Sequence, residues 1–238
     1  DEGILTFNTN ISGTYNLLDS IKILNLKPFI HVCSSSEVFG KVDKANLPIN
    51  ETCSYHPASP YAISKVGTDL VGKYFFEAFK QKIFITRMFT HTGPRRGDVF
   101  AESSFAKQIA LIENKKIPKI IKVGNLDSLR TYADVRDAVK AYHLLLTKNP
   151  KAGEIYNIGG NFTCSVRDML NHLLSLSRVK NIKIKIDKDR IRPIDADLQV
   201  PDTSKFFNHT KWKPQIPFKR TMKDLLEYWR GRVKKNNL

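Results

Sequence analysis

The chain has 238 residues, with 39 Lys+Arg against 23 Asp+Glu and a formal charge of +16. That length suits one large domain or two small ones. No apolar run approaches the roughly 18 to 20 residues that span a bilayer, and the opening DEGILTFNTN has neither the basic start nor the apolar core of a secretory signal. A cytoplasmic protein with no membrane partner is the expectation. The basic residues are spread along the sequence and no zinc-finger, RNA-recognition or basic-zipper pattern accompanies them. They read as a solvated lysine-rich surface, with a share left for a phosphate-bearing ligand, and nucleic acid is not expected as a partner. Cys33, Cys53 and Cys164 are odd in number and widely spaced, which predicts reduced thiols with no disulfide framework and no metal site.

In chain order, 11–24 (ISGTYNLLDSIKIL) has helical apolar spacing, and 29–35 (FIHVCSS) is a short β-rich run that reads as a buried parallel strand. A polar, proline-bearing loop over 40–60 precedes a long helical pattern over 61–81 and a second buried strand over 83–89. A turn-rich loop, HTGPRRGD (91–98), leads to an amphipathic helix at 103–116 and a short strand at 119–125. Then come a helix over 133–148, a strand over 153–160 with a glycine stop, a helix over 165–178 and a last helix over 218–233. Strand and helix alternating with short connections imply an α/β fold with a parallel sheet covered by helices. No GxGxxG or GxxGxxG occurs, although a dinucleotide-binding sheet normally holds the pyrophosphate on such a turn at a helix N-terminus. A glycine-rich strand–turn–helix encoded before Asp1 is therefore expected.

Chemistry concentrates in two segments. Tyr61 and Lys65 stand at i and i+4 near a helix start, so they share a face. An ammonium beside a phenol favours the phenolate, which suits proton exchange with a sugar hydroxyl. Alone, YxxxK is a weak signal in a lysine-rich chain. The run Ser34-Ser35-Ser36-Glu37-Val38-Phe39-Gly40 follows the first buried strand, and the carboxyl end of a parallel strand opens into the ligand crevice. Ser35 can bond the same oxygen as Tyr61. Glu37 is either a solvated turn carboxylate or a base for a carbon-bound proton. The two segments in this order form a much stronger signal than either alone.

The runs SSSEVFG, PYAISK, RMFTHTGPRRGD, VGNLDSLRTYADVRD and RIRPIDADLQVPDTSKFFNHTKWKPQIP resemble the GDP-mannose 4,6-dehydratase and GDP-4-keto-6-deoxymannose reductase family, which is part of the extended short-chain dehydrogenases/reductases. The resemblance covers essentially the whole chain. It implies a Rossmann-type NAD(P)-binding domain over 1–160, here without its first strands, and a C-terminal substrate-binding lobe mainly over 161–238. It implies Ser35, Glu37, Tyr61 and Lys65 as catalytic residues, and Asn10, Ser34, His91, Tyr61 and Lys65 as contacts of NADP or NAD. Ser36, Thr90, Asn125, Arg130 and Arg192 would meet the GDP-sugar, the arginines through their planar forks on the diphosphate. A homodimer or homotetramer built on the helices near 12–25 and 61–80 is also implied. Three positions depart from the family pattern: Thr90-His91, Arg130-Thr131-Tyr132, and Ser103-Ser104 where dehydratases carry a basic residue. The serine pair leans toward a reductase, whereas PRRG and the Glu of SSSE lean toward a dehydratase. The dehydratase is the first expectation and the reductase, or another nucleotide-sugar epimerase or dehydratase, the alternative. A non-catalytic binding protein of the same fold is the rival from another class.

Overall fold

In the computed structural model, which describes residues 2–148, 150–191 and 196–235, the first helix comes in two parts. α1 (Glu2–Phe7) passes through a π-helical segment, Asn8–Ser12, into α2 (Gly13–Ile23). Such wide turns within a helix re-aim side chains and recur at functional sites. β1 (Phe29–Cys33) and a 3-10 turn (Ser36–Phe39) follow, then α3 (Pro60–Phe79) and β2 (Lys82–Met88). The start of α3 is written in its sequence. The Ser59 hydroxyl accepts from the Ala62 amide at 3.1 Å, and Pro60 fills the first turn, where its missing N–H costs nothing.

The rest of the chain runs β3 (His91–Thr92), α4 (Ala101–Glu113), β4 (Ile120–Val123), β5 (Leu129–Asp134), α5 (Val135–Thr147) and β6 (Ile155–Ile158). β7 (Phe162–Ser165), α6 (Val166–Ser175), β8 (Lys183–Ile186), β9 (Leu198–Gln199), α7 (Ser204–Thr210) and α8 (Phe218–Lys234) complete it. β1, β2 and β6 form a parallel sheet in that order, with Ile30 opposite Ile83 and Ile85 opposite Ile155. A second sheet has β5 between β3 and β7, with β9 also on β5, and only the β5–β7 pair is antiparallel. β4 and β8 make a separate parallel pair.

Four apolar clusters hold these layers. Leu18, Val32, Phe75, Ile83 and Ile85 join α2 and α3 to one face of the parallel sheet. Phe84, Met88, Ala141, Leu145, Tyr156 and Phe206 join α5 and α7 to the other. Val38, Phe39, Ile49 and Phe89 fill the space under the loop that precedes α3. The largest cluster lies between α4, α6, α8 and β4 and includes Phe105, Ile109, Ile121, Leu170, Leu173, Leu225, Leu226 and Trp229. In α8 the buried residues Met222, Leu225, Leu226, Trp229 and Val233 recur at the 3–4 residue period of one helix face. Each such fully buried side chain contributes about 1.5–3 kcal/mol. This cluster takes residues from both sides of position 160.

The helices and strands read from the sequence are present within a few residues, but β1, expected to be buried, is an edge strand of the described sheet in which only Val32 is buried. The short strands of the second sheet were not foreseen. Ala133 and Asp134, expected to open a helix, are the end of β5, and the Asp134 carboxylate instead caps α5 by accepting from the Arg136 amide at 2.8 Å.

Candidate active site

The site is assembled at the carboxyl end of β1. Ser34 continues that strand's pairing, its amide donating to the Thr86 carbonyl at 2.8 Å. Ser35 then caps the 3-10 turn, with its hydroxyl accepting from the Glu37 amide at 3.2 Å. Ser34, Ser35 and Ser36 are all buried, while Glu37 is half-buried. The turn closes on Gly40, which has a φ of +52° and whose missing Cβ would lie 1.6 Å from the His56 carbonyl oxygen. Only glycine allows this approach, and it presses the loop before α3 against the serine turn.

α3 brings Tyr61 and Lys65 to the same place. The Tyr61 phenol comes under the influence of the Ser35 hydroxyl. Tyr61 as a residue is 45% exposed, yet its hydroxyl is desolvated, and that burial raises its pKa. Ser35 and Arg96 pull it down, and the Glu37 and Cys33 charges add to the rise. Lys65 Nζ donates to the Cys33 carbonyl at 2.9 Å and stands 5.8 Å from the centre of the Tyr61 ring. Burial lowers its own pKa. The sequence led us to expect an ammonium that lowers the phenol's pKa, but in this arrangement Lys65 faces the strand end and burial of the phenol dominates.

Three further contacts fix α3. Asn10, in the π-helical segment, donates through Nδ2 to Ser64 Oγ at 2.9 Å, and its carbonyl accepts from Thr68. Gly67 admits Ile11 of the same segment, where a Cβ would meet Ile11 Cδ1 at 2.6 Å. Asp69, one turn beyond Lys65, is fully buried against buried Arg87 of β2, which donates to Asp69 Oδ2 through Nε at 2.8 Å. Tyr55 donates to the same oxygen at 2.9 Å and accepts from Arg87 at 2.7 Å. Arg87 also holds the Glu51 carbonyl at 2.8 Å.

The remaining expected residues divide. His91 is in β3 with Nδ1 at 3.2 Å from the Phe89 carbonyl, and burial lowers its pKa, so the ring is neutral at pH 7. The Thr90 carbonyl accepts from the Ala133 amide at 2.9 Å, which ties β3 to β5. Asn125 shapes its turn, with Oδ1 accepting from the Asp127 amide at 2.9 Å and Nδ2 donating to Ser128 at 3.1 Å. Arg130, on β5, donates to the carbonyls of Leu129 and Ala196. Arg192 lies outside the described residues. Two groups that we had not selected act on these residues through their charges: Arg96, whose Nε stands 3.5 Å from Glu102 Oε1, lowers the pKa of both Tyr61 and His91, and Glu102 raises that of His91. Arg96 stood within the quoted PRRG run, whereas Glu102 followed it as an ordinary helix residue.

A family model described as GDP-mannose 4,6 dehydratase matches residues 1–225. GDP-6-deoxy-D-mannose reductase of Pseudomonas aeruginosa is 30% identical over 229 residues, covering 96% of this chain and 75% of the relative. GDP-mannose 4,6 dehydratase of Drosophila melanogaster is 26% identical, covering 93% of this chain and 60% of the relative's length. Among solved structures, RMD from Pseudomonas aeruginosa complexed with NADPH superposes with a TM-score of 0.88 at 30% identity, covering 95% of this chain and 75% of that one. A dTDP-glucose 4,6-dehydratase from Bacillus anthracis in complex with NAD shares the fold at a TM-score of 0.83, with 22% identity and coverage of 96% and 70%. The serine turn after β1, the Tyr61–Lys65 face of α3 and a match running through residue 225 converge: this chain belongs to the GDP-mannose 4,6-dehydratase family of extended short-chain dehydrogenases/reductases, whose members are NAD(P)-dependent nucleotide-sugar dehydratases and reductases.

Proposed function

We propose that the protein reduces the 4-keto group of a GDP-6-deoxyhexose with NAD(P)H. The observation that carries this reading is buried Ser35 on the turn at the carboxyl end of a parallel strand, acting on a Tyr61 phenol that burial holds protonated. A protonated phenol in that position is the acid that a ketone oxygen needs as it becomes an alkoxide. Similarity supports the same direction, since the reductase relative is the more similar of the two GDP-sugar enzymes compared, at 30% against 26% identity.

The cofactor's nicotinamide end fits the residues present. Lys65 spends one donor on the Cys33 carbonyl and has two more for ribose hydroxyls. Asn10, Ser34 and His91 are the other residues we assign to that end. Bound NAD(P)H would supply the hydride for the ketone carbon. Ser35 holds the sugar oxygen, Tyr61 gives it a proton, and the Lys65 charge steadies the phenolate that remains. Ser36 and Thr90 border the sugar, Asn125 sets the loop that carries Arg130, and Arg130 with Arg192 takes the diphosphate. The core of α4, α6 and α8 acts as the substrate lobe. Leu17, Ile63, Leu70 and Tyr74 are exposed on α2 and α3 and form the face through which two copies would pair.

One observation favours the dehydratase as a second reading: Glu37 is half-buried on the turn that follows Ser35, a carboxylate that could serve to remove a carbon-bound proton. The assay that separates the two follows NADPH at 340 nm, in the intact protein, with GDP-mannose and with its 4-keto-6-deoxy derivative. Stoichiometric NADPH loss with the keto sugar alone is expected. Conversion of GDP-mannose to the keto sugar with no net NADPH change would overturn the reductase reading in favour of the dehydratase.

A further inference from the structure

β8 is the outer strand of the β4–β8 pair, and every residue in it is exposed. Its register against β4 sorts the side chains onto two faces. Ile184 stands opposite Ile121 and Ile186 opposite Val123, while Lys183 and Lys185 stand opposite Ile120 and Lys122. Residues paired in this way share a face of the sheet. Ile121 and Val123 are fully buried in the large apolar cluster. Ile184 and Ile186 extend the same layer by one strand, yet they are 43% and 64% exposed. The apolar layer therefore runs out to an uncovered edge. The backbone is open there too. The Lys183 and Asp187 amides donate inward to the Lys119 and Val123 carbonyls at 2.9 and 2.8 Å. Alternation along a strand then turns the N–H and C=O groups of Ile184 and Ile186 outward, and among the described residues no strand pairs with them. The opposite face is basic: Lys183 and Lys185 are exposed beside Lys122, which has Asp187 at 3.8 Å.

We propose that the free edge of β8 docks an extended segment of a partner protein in which apolar and acidic residues alternate. Such a segment adds a third strand to the β4–β8 pair. Its apolar residues cover Ile184 and Ile186 and continue the layer of Ile121 and Val123. Its carboxylates lie on the other face against Lys183 and Lys185, where opposite charges across neighbouring strands favour pairing. Its main chain takes the outward N–H and C=O groups of Ile184 and Ile186. Lysines on an edge ordinarily repel further strands. That holds for a second copy of this chain, because β8 paired with itself sets lysine against lysine, and an acidic strand reverses the sign. The edge shares no element with the Tyr61 site and does not depend on what that site converts.

The test is fluorescence anisotropy of labelled peptides added to the intact protein at physiological salt. One peptide alternates valine and glutamate, a second has lysine in place of glutamate, and a third groups the valines and glutamates of the first into two blocks. The alternating acidic peptide should bind and the other two should not. Ile184→Pro removes an outward N–H and no bond to β4. It should weaken that binding about 10-fold, the upper range for one hydrogen bond, because the ring also stands in the partner's way. Lys183→Glu together with Lys185→Glu should switch the preference to the lysine peptide, and this covers the case in which Ile184→Pro fails to fold. Equal binding of the alternating and block acidic peptides, or binding that survives Ile184→Pro intact, would reduce the effect to charge alone and overturn the proposal. Absence of peptide binding would overturn it as well. Sedimentation with phosphatidylserine vesicles that is lost in the double lysine variant, with no peptide bound, would assign the face to a membrane surface instead.

Discussion

Around β1, β2 and α3 the buried set includes Ser34, Ser35, Ser64, Thr68, Asp69, Thr86 and Arg87. Between α4, α6, α8 and β4 it is a nearly continuous run of Phe, Ile, Leu, Met and Trp side chains. The second region is held by area removed from water, which is non-directional and tolerant of small shifts. The first is held at its centre by hydrogen bonds among buried polar groups, which fix geometry and fail sharply when one partner is lost. The polar packing lies under the helix that carries Tyr61 and Lys65, where small displacements matter to chemistry. The apolar packing lies among α4, α6, α8 and β4, where the requirement is a stable wall.

Tyr61→Phe sharpens that contrast most, because it touches chemistry and leaves packing alone. Turnover should fall by a factor on the order of 10² to 10⁴, with thermal unfolding little changed, because the ring and its packing stay in place. Asp69→Ala probes the polar packing itself. It strands buried Arg87 and should cost about 3–5 kcal/mol in denaturant unfolding. A loss under ~1 kcal/mol, the level of an exposed ion pair, would break the comparison. Leu226→Ala in the apolar cluster should cost about 2–5 kcal/mol while leaving the KM for NADPH unchanged, and a large rise in that KM would show that the two regions are not independent. The pH profile should show the smallest effect. Burial lowers the Lys65 pKa from 10.5 and raises that of Tyr61 from 10.0. The Tyr61 phenol therefore stays protonated through neutral pH, and reductive turnover should stay level there. On the alkaline side activity should fall as Tyr61 loses the proton it has to give. A rise in turnover between pH 7 and 9 would mean that Tyr61 works as a base.

Much of this was legible in the residues, for reasons that can be named. The α3 start was announced by Ser59-Pro60, and the 3.6-residue period of α6 and α8 follows from burying one face. β2 is a short apolar run because both faces of this central parallel strand are covered, whereas β1, at the edge of the described sheet, is apolar yet only partly covered. The second sheet was not legible because β3 and β9 have two residues each, too short for any period to show. The Arg87–Asp69–Tyr55 cluster joins positions 14 and 18 apart, and nothing local marks an aspartate on a long helix as buried. The Arg96–Glu102 pair was hidden for a similar reason, since a Glu in the first turn of a helix is common on electrostatic grounds alone.

The serine cap has a consequence for how protons are counted. A hydroxyl has one proton to give and two lone pairs to offer. In Ser35 one lone pair is taken by the Glu37 amide. The proton and the other lone pair are left for Tyr61 and an incoming sugar oxygen, and the two cannot both receive the proton. An alkoxide forming on the sugar competes for it best, which directs the serine proton toward the sugar and turns Tyr61 to donate as well. The main-chain amide of a short turn thus gives the proton relay a direction. Ser35→Thr preserves that count, whereas Ser35→Ala removes the relay and the cap together.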